Sequence, residues 1–105
     1  MKATYRNAIE ACQKCIVDCR ICLTEMAGKE SMNDCPKCCI QCADACDALL
    51  KMMTSGSAYV KQYALLCAEI CEYCADHCEE HKHEHCKECA KSCRACAETC
   101  RKIAA

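Results

Sequence analysis

The 105-residue chain has no phenylalanine and no tryptophan, a single proline and two glycines. Without Phe or Trp, the large rings that usually anchor a core are missing. With so little Gly and Pro, a coil of tight turns of the metallothionein-like or knottin-like kind is excluded. No apolar run extends beyond a few residues, so nothing spans a membrane. An excess of one charge is also missing: 14 Lys and Arg face 15 Asp and Glu, leaving a net charge of −1. The two signs are interspersed, so no basic patch points to nucleic acid and no acidic tail to a basic partner. The N-terminus, MKATYRNAIEAC, lacks the apolar stretch of a signal peptide. With Met1 as the native start, a cytosolic protein is expected.

What the chain does have is sulfur. Of its 53% hydrophobic residues, 18 are Cys and 16 are Ala, which leaves 22 larger apolar or aromatic side chains. That length suits one domain over residues 1–105 and is too short for two good cores. Those larger side chains alone would pack such a domain poorly. The thiols, or something bound to them, must therefore form part of the core. Stable disulfides are rare in the cytosol, so a Cys-rich chain there points to metal.

Ala, Glu, Lys, Gln and Arg are abundant and all favour helix. Three polar breaks interrupt them. GKESMND (28–34) offers Asn33 or Asp34 as a cap, with Pro36 tolerated in the first turn. TSGS (54–57) offers Ser57, and EEHKHEH (79–85) is a polar connector. Four helices follow, roughly 4–27, 34–53, 57–80 and 84–103, each about 30 Å long. Short connections make successive helices antiparallel neighbours. The expected fold is all-α: an antiparallel up-down-up-down four-helix bundle with a Cys-lined core.

The inward stripes carry the chemistry. The first reads Tyr5, Ala8, Cys12, Cys15, Cys19, Cys22, Met26. The second reads Met32, Cys35, Cys39, Cys42, Cys46, Leu49, Met53, with Cys38 just beside it. The third reads Val60, Ala64, Cys67, Cys71, Cys74, Cys78, His81, and the fourth Cys86, Cys89, Cys93, Cys96, Cys100, Ile103. Every step is three or four residues, the repeat of one helix face. Antiparallel folding stacks these stripes in layers. One end collects Tyr5, Ile9, Leu49, Met53, Tyr59, Tyr63, Val60 and Ile103 as an apolar plug. The middle is thiol from all four helices. The other end carries Met26, Met32, His81, His83 and His85.

A few buried Cys act simply as small hydrophobes, but a core built of them forfeits burial energy unless something fills the space. Disulfides fit poorly along a stripe. Cβ atoms one turn apart lie about 5–6 Å from each other, against the roughly 3.5–4.5 Å a bridge wants. Bridges between helices remain possible, and the ten-residue steps Cys12–Cys22 and Cys86–Cys96 match disulfide-linked hairpins. Zinc in four thiolates leaves two negative charges per site, and stacking such sites buries much charge. Cu(I) with thiolates in comparable numbers approaches neutrality, is soft, and suits thiolate and thioether ligands. A metal–sulfur bond of roughly 2.3 Å gives a linear S–metal–S span of about 4.6 Å. Cysteines one turn apart suit it: Cys15/Cys19, Cys35/Cys39, Cys38/Cys42, Cys42/Cys46, Cys67/Cys71, Cys74/Cys78, Cys89/Cys93 and Cys96/Cys100. Iron–sulfur chemistry wants its Cys in a wrapping loop, and CxxC redox chemistry a βαβ context; neither is present. At the polar end, imidazole and thioether would capture Cu(I) loosely and pass it inward. His81 leads there because it continues the third stripe. Solvated connector histidines, His77 included, are the plainer account of that end.

The C-terminal half, CAEICEYCADHCEEHKHEHCKECAKSCRACAETCRKIAA, with its His-x-His-x-His-Cys connector leading into the last helix, resembles the copper storage proteins. The resemblance covers nearly the whole chain and lies nearer the family's cytosolic branch than its exported one. It implies a homotetramer of bundles, each holding many Cu(I) ions by thiolates and admitting them at the open polar end. It assigns the cysteines from Cys12 to Cys100 as ligands and matches His81, His83 and His85 to the family's His-rich mouth. The first connector, MAGKESMN, carries Met and no His.

The expectation is therefore a cytosolic, non-enzymatic Cu(I) store, its metal passed from or to a copper chaperone that the sequence does not name. A zinc or general thiophilic-metal buffer is the alternative, and a disulfide-stabilised structural bundle comes third.

Overall fold

Four helices account for most of the chain: α1 (Ala3–Met26), α2 (Lys37–Thr54), α3 (Val60–Glu79) and α4 (Glu84–Ala104). They come from a computed structural model that describes all residues from 1 to 105. α1 packs on α2 and α4, and α3 on α2 and α4, which closes a square of antiparallel neighbours. The long dimension of the bundle is 41 Å. No helix is long and apolar enough to cross a membrane.

The expected stripes are the buried faces. Ala8, Cys12, Cys15, Cys19, Cys22 and Met26 are buried on α1, and the cysteine stripes of α2, α3 and α4 are buried with them. Sulfur on Cβ is a short side chain, so four such stripes meet only if the backbones approach closely. The residues flanking the stripes allow it. Ala43 and Ala45 on α2, Ala68 and Ala75 on α3, and Ala90 and Ala97 on α4 are all buried at the seams.

Charge holds the seams from outside. Arg94 on α4 donates to Asp76 at 2.7 Å and Glu79 at 2.8 Å on α3, and Arg101, two turns further along α4, pairs with Glu72. Ser92, buried on α4, donates to the Asp18 carboxylate on α1. These exposed ion pairs are individually worth little, but they fix which helix faces which.

The helix starts differ from the sequence reading. α2 begins at Lys37 and α3 at Val60, each three residues later than expected. Asn33 does not cap α2: its Oδ1 accepts the Cys35 N–H at 2.9 Å, ahead of the helix. Asp34 gives its carboxylate to the Tyr73 hydroxyl, and its backbone carbonyl accepts the Cys38 N–H at 3.0 Å. Ser57 likewise accepts the Tyr59 N–H at 3.1 Å, in the turn before α3. Side chains that can bond their own backbone build turns as readily as caps. Both glycines sit in these connectors with φ of +81° (Gly28) and +69° (Gly56), the left-handed conformation in which a chain leaves a helix at little cost only as Gly.

The apolar plug forms at one end from Leu49, Met53, Val60 and Ile103, with Tyr5, Ile9 and Tyr63 half-buried against it. Tyr59 corrects the reading, being 68% exposed. It precedes α3, where helical spacing no longer governs direction. Leu49 has no exposure at all. Leu49→Ala should therefore destabilise the reduced protein by about 2–5 kcal/mol, read as a lower denaturation midpoint with an unchanged slope.

Candidate metal-binding core

All eighteen cysteines are free thiols, none more than 1% exposed. The antiparallel register brings them together. Between α1 and α4, Cys12–Cys96, Cys15–Cys93, Cys19–Cys89 and Cys22–Cys86 lie 3.8, 3.8, 3.6 and 3.6 Å apart at sulfur. Each step up one helix is matched by an equal step down the other. Between α2 and α3, Cys39–Cys74, Cys42–Cys71 and Cys46–Cys67 lie at 3.9, 3.5 and 3.9 Å. Across the diagonal from α2 to α4, Cys39–Cys89, Cys42–Cys93 and Cys46–Cys96 lie at 3.8, 3.8 and 3.7 Å. The diagonal contacts mean that sulfur fills the axis of the bundle.

Along single helices, Cys15/Cys19, Cys67/Cys71, Cys74/Cys78, Cys89/Cys93 and Cys96/Cys100 are 3.9–4.0 Å apart. That is shorter than the linear S–metal–S span of about 4.6 Å. It matches the roughly 4.0 Å between sulfurs in a trigonal site with bonds of about 2.3 Å. Cys38, which the periodicity sets beside its stripe, is 1% exposed and lies with Cys39, Cys74 and Cys78 in a four-thiol group.

Such groups overlap. Cys15, Cys19, Cys42 and Cys93 form one within 4.8 Å, and Cys19 and Cys93 recur in another with Cys74 and Cys89. Cys39 and Cys78 serve both the Cys38/Cys74 group and a group with Cys22 and Cys35. An array of shared thiols can hold a chain of linked ions, where isolated sites would each need their own ligands.

Ionisation of this array is mutually constrained. A thiolate is stabilised by neighbouring S–H groups, and each such contact makes the neighbour harder to ionise. The S–H of Cys15 foremost holds Cys42 below the ordinary thiol range. Cys74 is pushed above that range, first by Cys19. Cys86 is pushed up by burial first and then by the charge of Cys22. A buried core cannot ionise throughout unless cations enter with the charge.

The polar end divides its expected residues. Met26 is buried at the close of α1. Met32 is not on an inward stripe: it is 71% exposed in the connector, because the chain between α1 and α2 is not helical and helical spacing fails there. His81 is 7% exposed. Its Nε2 lies 3.2 Å from the Ser31 hydroxyl and its Nδ1 3.2 Å from the His77 carbonyl. His83 is exposed and stacks on His85 with ring centres 5.2 Å apart. His85 comes nearest to sulfur: Nδ1 is 3.5 Å from both Cys22 Sγ and Cys86 Sγ, while its buried Nε2 has no partner. His77 turns its Nδ1 to the Tyr73 carbonyl at 2.8 Å.

Asn33 was legible only as a cap. Besides the Cys35 N–H, its Nδ2 donates to the His77 carbonyl and to Glu80 Oε1, both at 2.8 Å. Those partners lie 44 and 47 residues away in sequence, so no local pattern announces them.

A four-helix bundle whose axis is continuous buried thiol, sealed by hydrocarbon at one end and bearing imidazole at the other, is a thiophilic-metal-binding protein in its construction. The chain belongs to the copper storage protein family (Csp), which matches it over residues 1–105. A cysteine-rich protein of Bacillus subtilis (strain 168), YhjQ, is 41% identical over 108 residues, covering all of both chains. Among solved structures, the Cu(I)-bound copper storage protein BsCsp3, from Bacillus subtilis, superposes with a TM-score of 0.92 at 38% identity, over 97% of this chain and 99% of its own. A cytosolic copper storage protein from Streptomyces lividans, solved with five coppers, gives 0.88 at 28% identity, over 96% and 92%.

The sealed core carries its own test. In native reduced protein, a water-soluble thiol reagent should modify the cysteines at least about tenfold more slowly than in denaturant, where all eighteen should react at once. A fast native fraction would mean that part of the array is open.

Proposed function

We propose that this chain stores Cu(I) as cargo, bound by the thiolates of Cys12, Cys15, Cys19, Cys22, Cys35, Cys38, Cys39, Cys42, Cys46, Cys67, Cys71, Cys74, Cys78, Cys86, Cys89, Cys93, Cys96 and Cys100. One observation carries the reading: the four-thiol groups overlap through shared sulfurs inside a buried core. Shared thiolates suit an ion that accepts two or three ligands. A monovalent ion also neutralises them one for one, whereas Zn²⁺ in four thiolates leaves charge behind. Storage needs no chemical turnover, and the reading assigns the chain no catalysis.

His85, with Nδ1 at 3.5 Å from two thiols, is the natural hand-over point from solvent to sulfur, with exposed His83 stacked outside it. His81 and Met26 complete the buried lining of that end, and Met32 serves at most as an outer contact. The cytosol as compartment rests on the Streptomyces lividans relative, described as cytosolic. Assembly into a homotetramer is supported by Leu66 and Tyr73, apolar side chains left exposed on α3 beside Gln41 of α2; surfaces of that kind mark association sites.

The deciding experiment is an anaerobic titration of fully reduced protein with Cu(I) against a chromogenic Cu(I) chelator, with proton release followed in weak buffer. The protein should outcompete the chelator for a number of ions approaching its 18 thiols, releasing protons as neutral thiols become thiolates. Uptake of only a few ions, or loss to the chelator while Zn²⁺ is held tightly, would turn the reading to the zinc buffer. A second prediction concerns the lining: His83→Ala with His85→Ala should slow loading several-fold and leave capacity almost intact. Cys42→Ser with Cys46→Ser should lower capacity while the metal-free bundle stays folded, as far-ultraviolet circular dichroism would show.

A further inference from the structure

None of the eighteen thiols exceeds 1% exposure, so a metal ion reaches them only when some part of the protein moves aside. The two ends differ in what can move. At the plug end the cover is made by the helices themselves, through Leu49, Val60 and Ile103. At the polar end two non-helical connectors meet, 27–36 and 80–83, and the longer of them is 27–36. That connector leaves α1 at Gly28, whose φ of +81° and open surroundings make it a joint.

Hydrogen bonds from three side chains tie the connector down: Asn33, Ser31, and Asp34, whose carboxylate accepts the Tyr73 hydroxyl on α3. Asn33 Nδ2 donates to the His77 carbonyl and to the Glu80 carboxylate, while its Oδ1 fixes the Cys35 N–H. The Ser31 hydroxyl meets His81 Nε2 at 3.2 Å. All but the Cys35 contact, which lies within the connector, reach from it to the end of α3 and just beyond, across the layer that contains Cys22, Cys35 and Cys78. The Glu80 bond is charge-assisted, the stronger kind. Asn33 makes three of the contacts and touches no thiol sulfur in doing so.

We propose that Asn33 is the latch of a gate. It holds the 27–36 connector closed over the thiol core and thereby sets the rate at which metal passes, inward and outward alike, without itself binding metal. The inference rests on the storage reading. A latch differs from a ligand in one measurable respect. Releasing a latch speeds uptake and removal by the same factor and leaves affinity unchanged; removing a ligand changes affinity or capacity.

The test uses the full chain, reduced and anaerobic. Cu(I) is supplied as its bicinchoninate complex in stopped flow, and removal is driven by excess bathocuproine disulfonate. Asn33→Asp keeps the acceptor for the Cys35 N–H but loses both donations and sets a carboxylate against Glu80. Its uptake and removal rate constants should each rise about tenfold, the scale expected for loss of a charge-assisted hydrogen bond, with copper per chain unchanged. Adding Glu80→Gln should bring both rates back toward wild type, because the new amide can donate to the N33D carboxylate. Ser31→Ala, which loosens the connector from the His81 side, should raise both rates by a smaller factor and tests the gate independently should N33D fold poorly.

Unchanged rates in N33D and S31A would overturn the latch. So would faster exchange accompanied by lower capacity, which would make Asn33 a ligand, or a double variant as fast as N33D alone, which would indicate general loosening. The storage reading fails separately. It is read from the amplitude of wild-type uptake, and a wild type that takes up only a few ions would remove the latch along with it.

Discussion

A buried thiol core can ionise only as far as cations enter it, and most of this structure follows from that constraint. Eighteen sulfurs linked by contacts along the bundle axis are shut off from bulk solvent, and no lysine or arginine is buried among them to balance a thiolate. As neutral thiols they pack as small hydrophobes and the bundle holds together. As thiolates they need metal. The same side chains therefore serve two states. The metal-free fold does not have to tolerate a large buried charge, because the charge arrives with its counterion. On the storage reading this favours a monovalent soft ion over zinc for reasons of charge, although the 3.5–4.0 Å sulfur separations would accommodate tetrahedral as well as trigonal geometry.

The cost of a small-atom core is met at the seams. Leucine-filled bundles gain much of their stability from the area each side chain buries, and cysteine and alanine bury little. Here the helices gain specificity from outside. Arg94 clamps two acids on α3, and Ser92 reaches the Asp18 carboxylate on α1. Leu49, Met53, Val60 and Ile103 gather the ordinary hydrocarbon at one end. Segregation of hydrocarbon from sulfur leaves the middle free to adjust its sulfur positions as ions bind. A core of interdigitated leucines would resist such movement.

The helical part of this arrangement was legible in the sequence because one rule governs it. A cysteine every three or four residues can only be one helix face, and four such faces can only converge. The stripes predicted the buried residues of α1 from Ala8 to Met26 and the thiols of the other three helices. Cys38 shows the limit of a one-line stripe. Two adjacent cysteines, Cys38 and Cys39, can both face inward where a helix sits at a corner between neighbours, and they share a group with Cys74 and Cys78. Where the chain stops being helical the rule stops too. Met32, at helical spacing from buried Cys35, and Tyr59, expected within the first turn of the third helix, both lie in connectors, and both are exposed. Asn33, Asp34 and Ser57 were read as caps from their residue types, but their bonding was settled by partners distant in sequence or by the turn geometry just before each helix.

The polar end shows why that limit matters for function. Residue type alone ranks its histidines by how well they continue a helical stripe, which favours His81. Geometry ranks them by what their nitrogens meet. Both nitrogens of His81 have oxygen partners, and that ring ties the two connectors together. His85 instead turns Nδ1 to two thiols and leaves Nε2 buried without a partner. An unsatisfied buried nitrogen is costly to keep, and an imidazole nitrogen beside sulfur is a ligand set that suits a soft cation. Two histidines of one short motif, H-K-H-E-H, thus meet different atoms, oxygen around His81 and sulfur beside His85, and the division follows from which atoms the fold brings within reach.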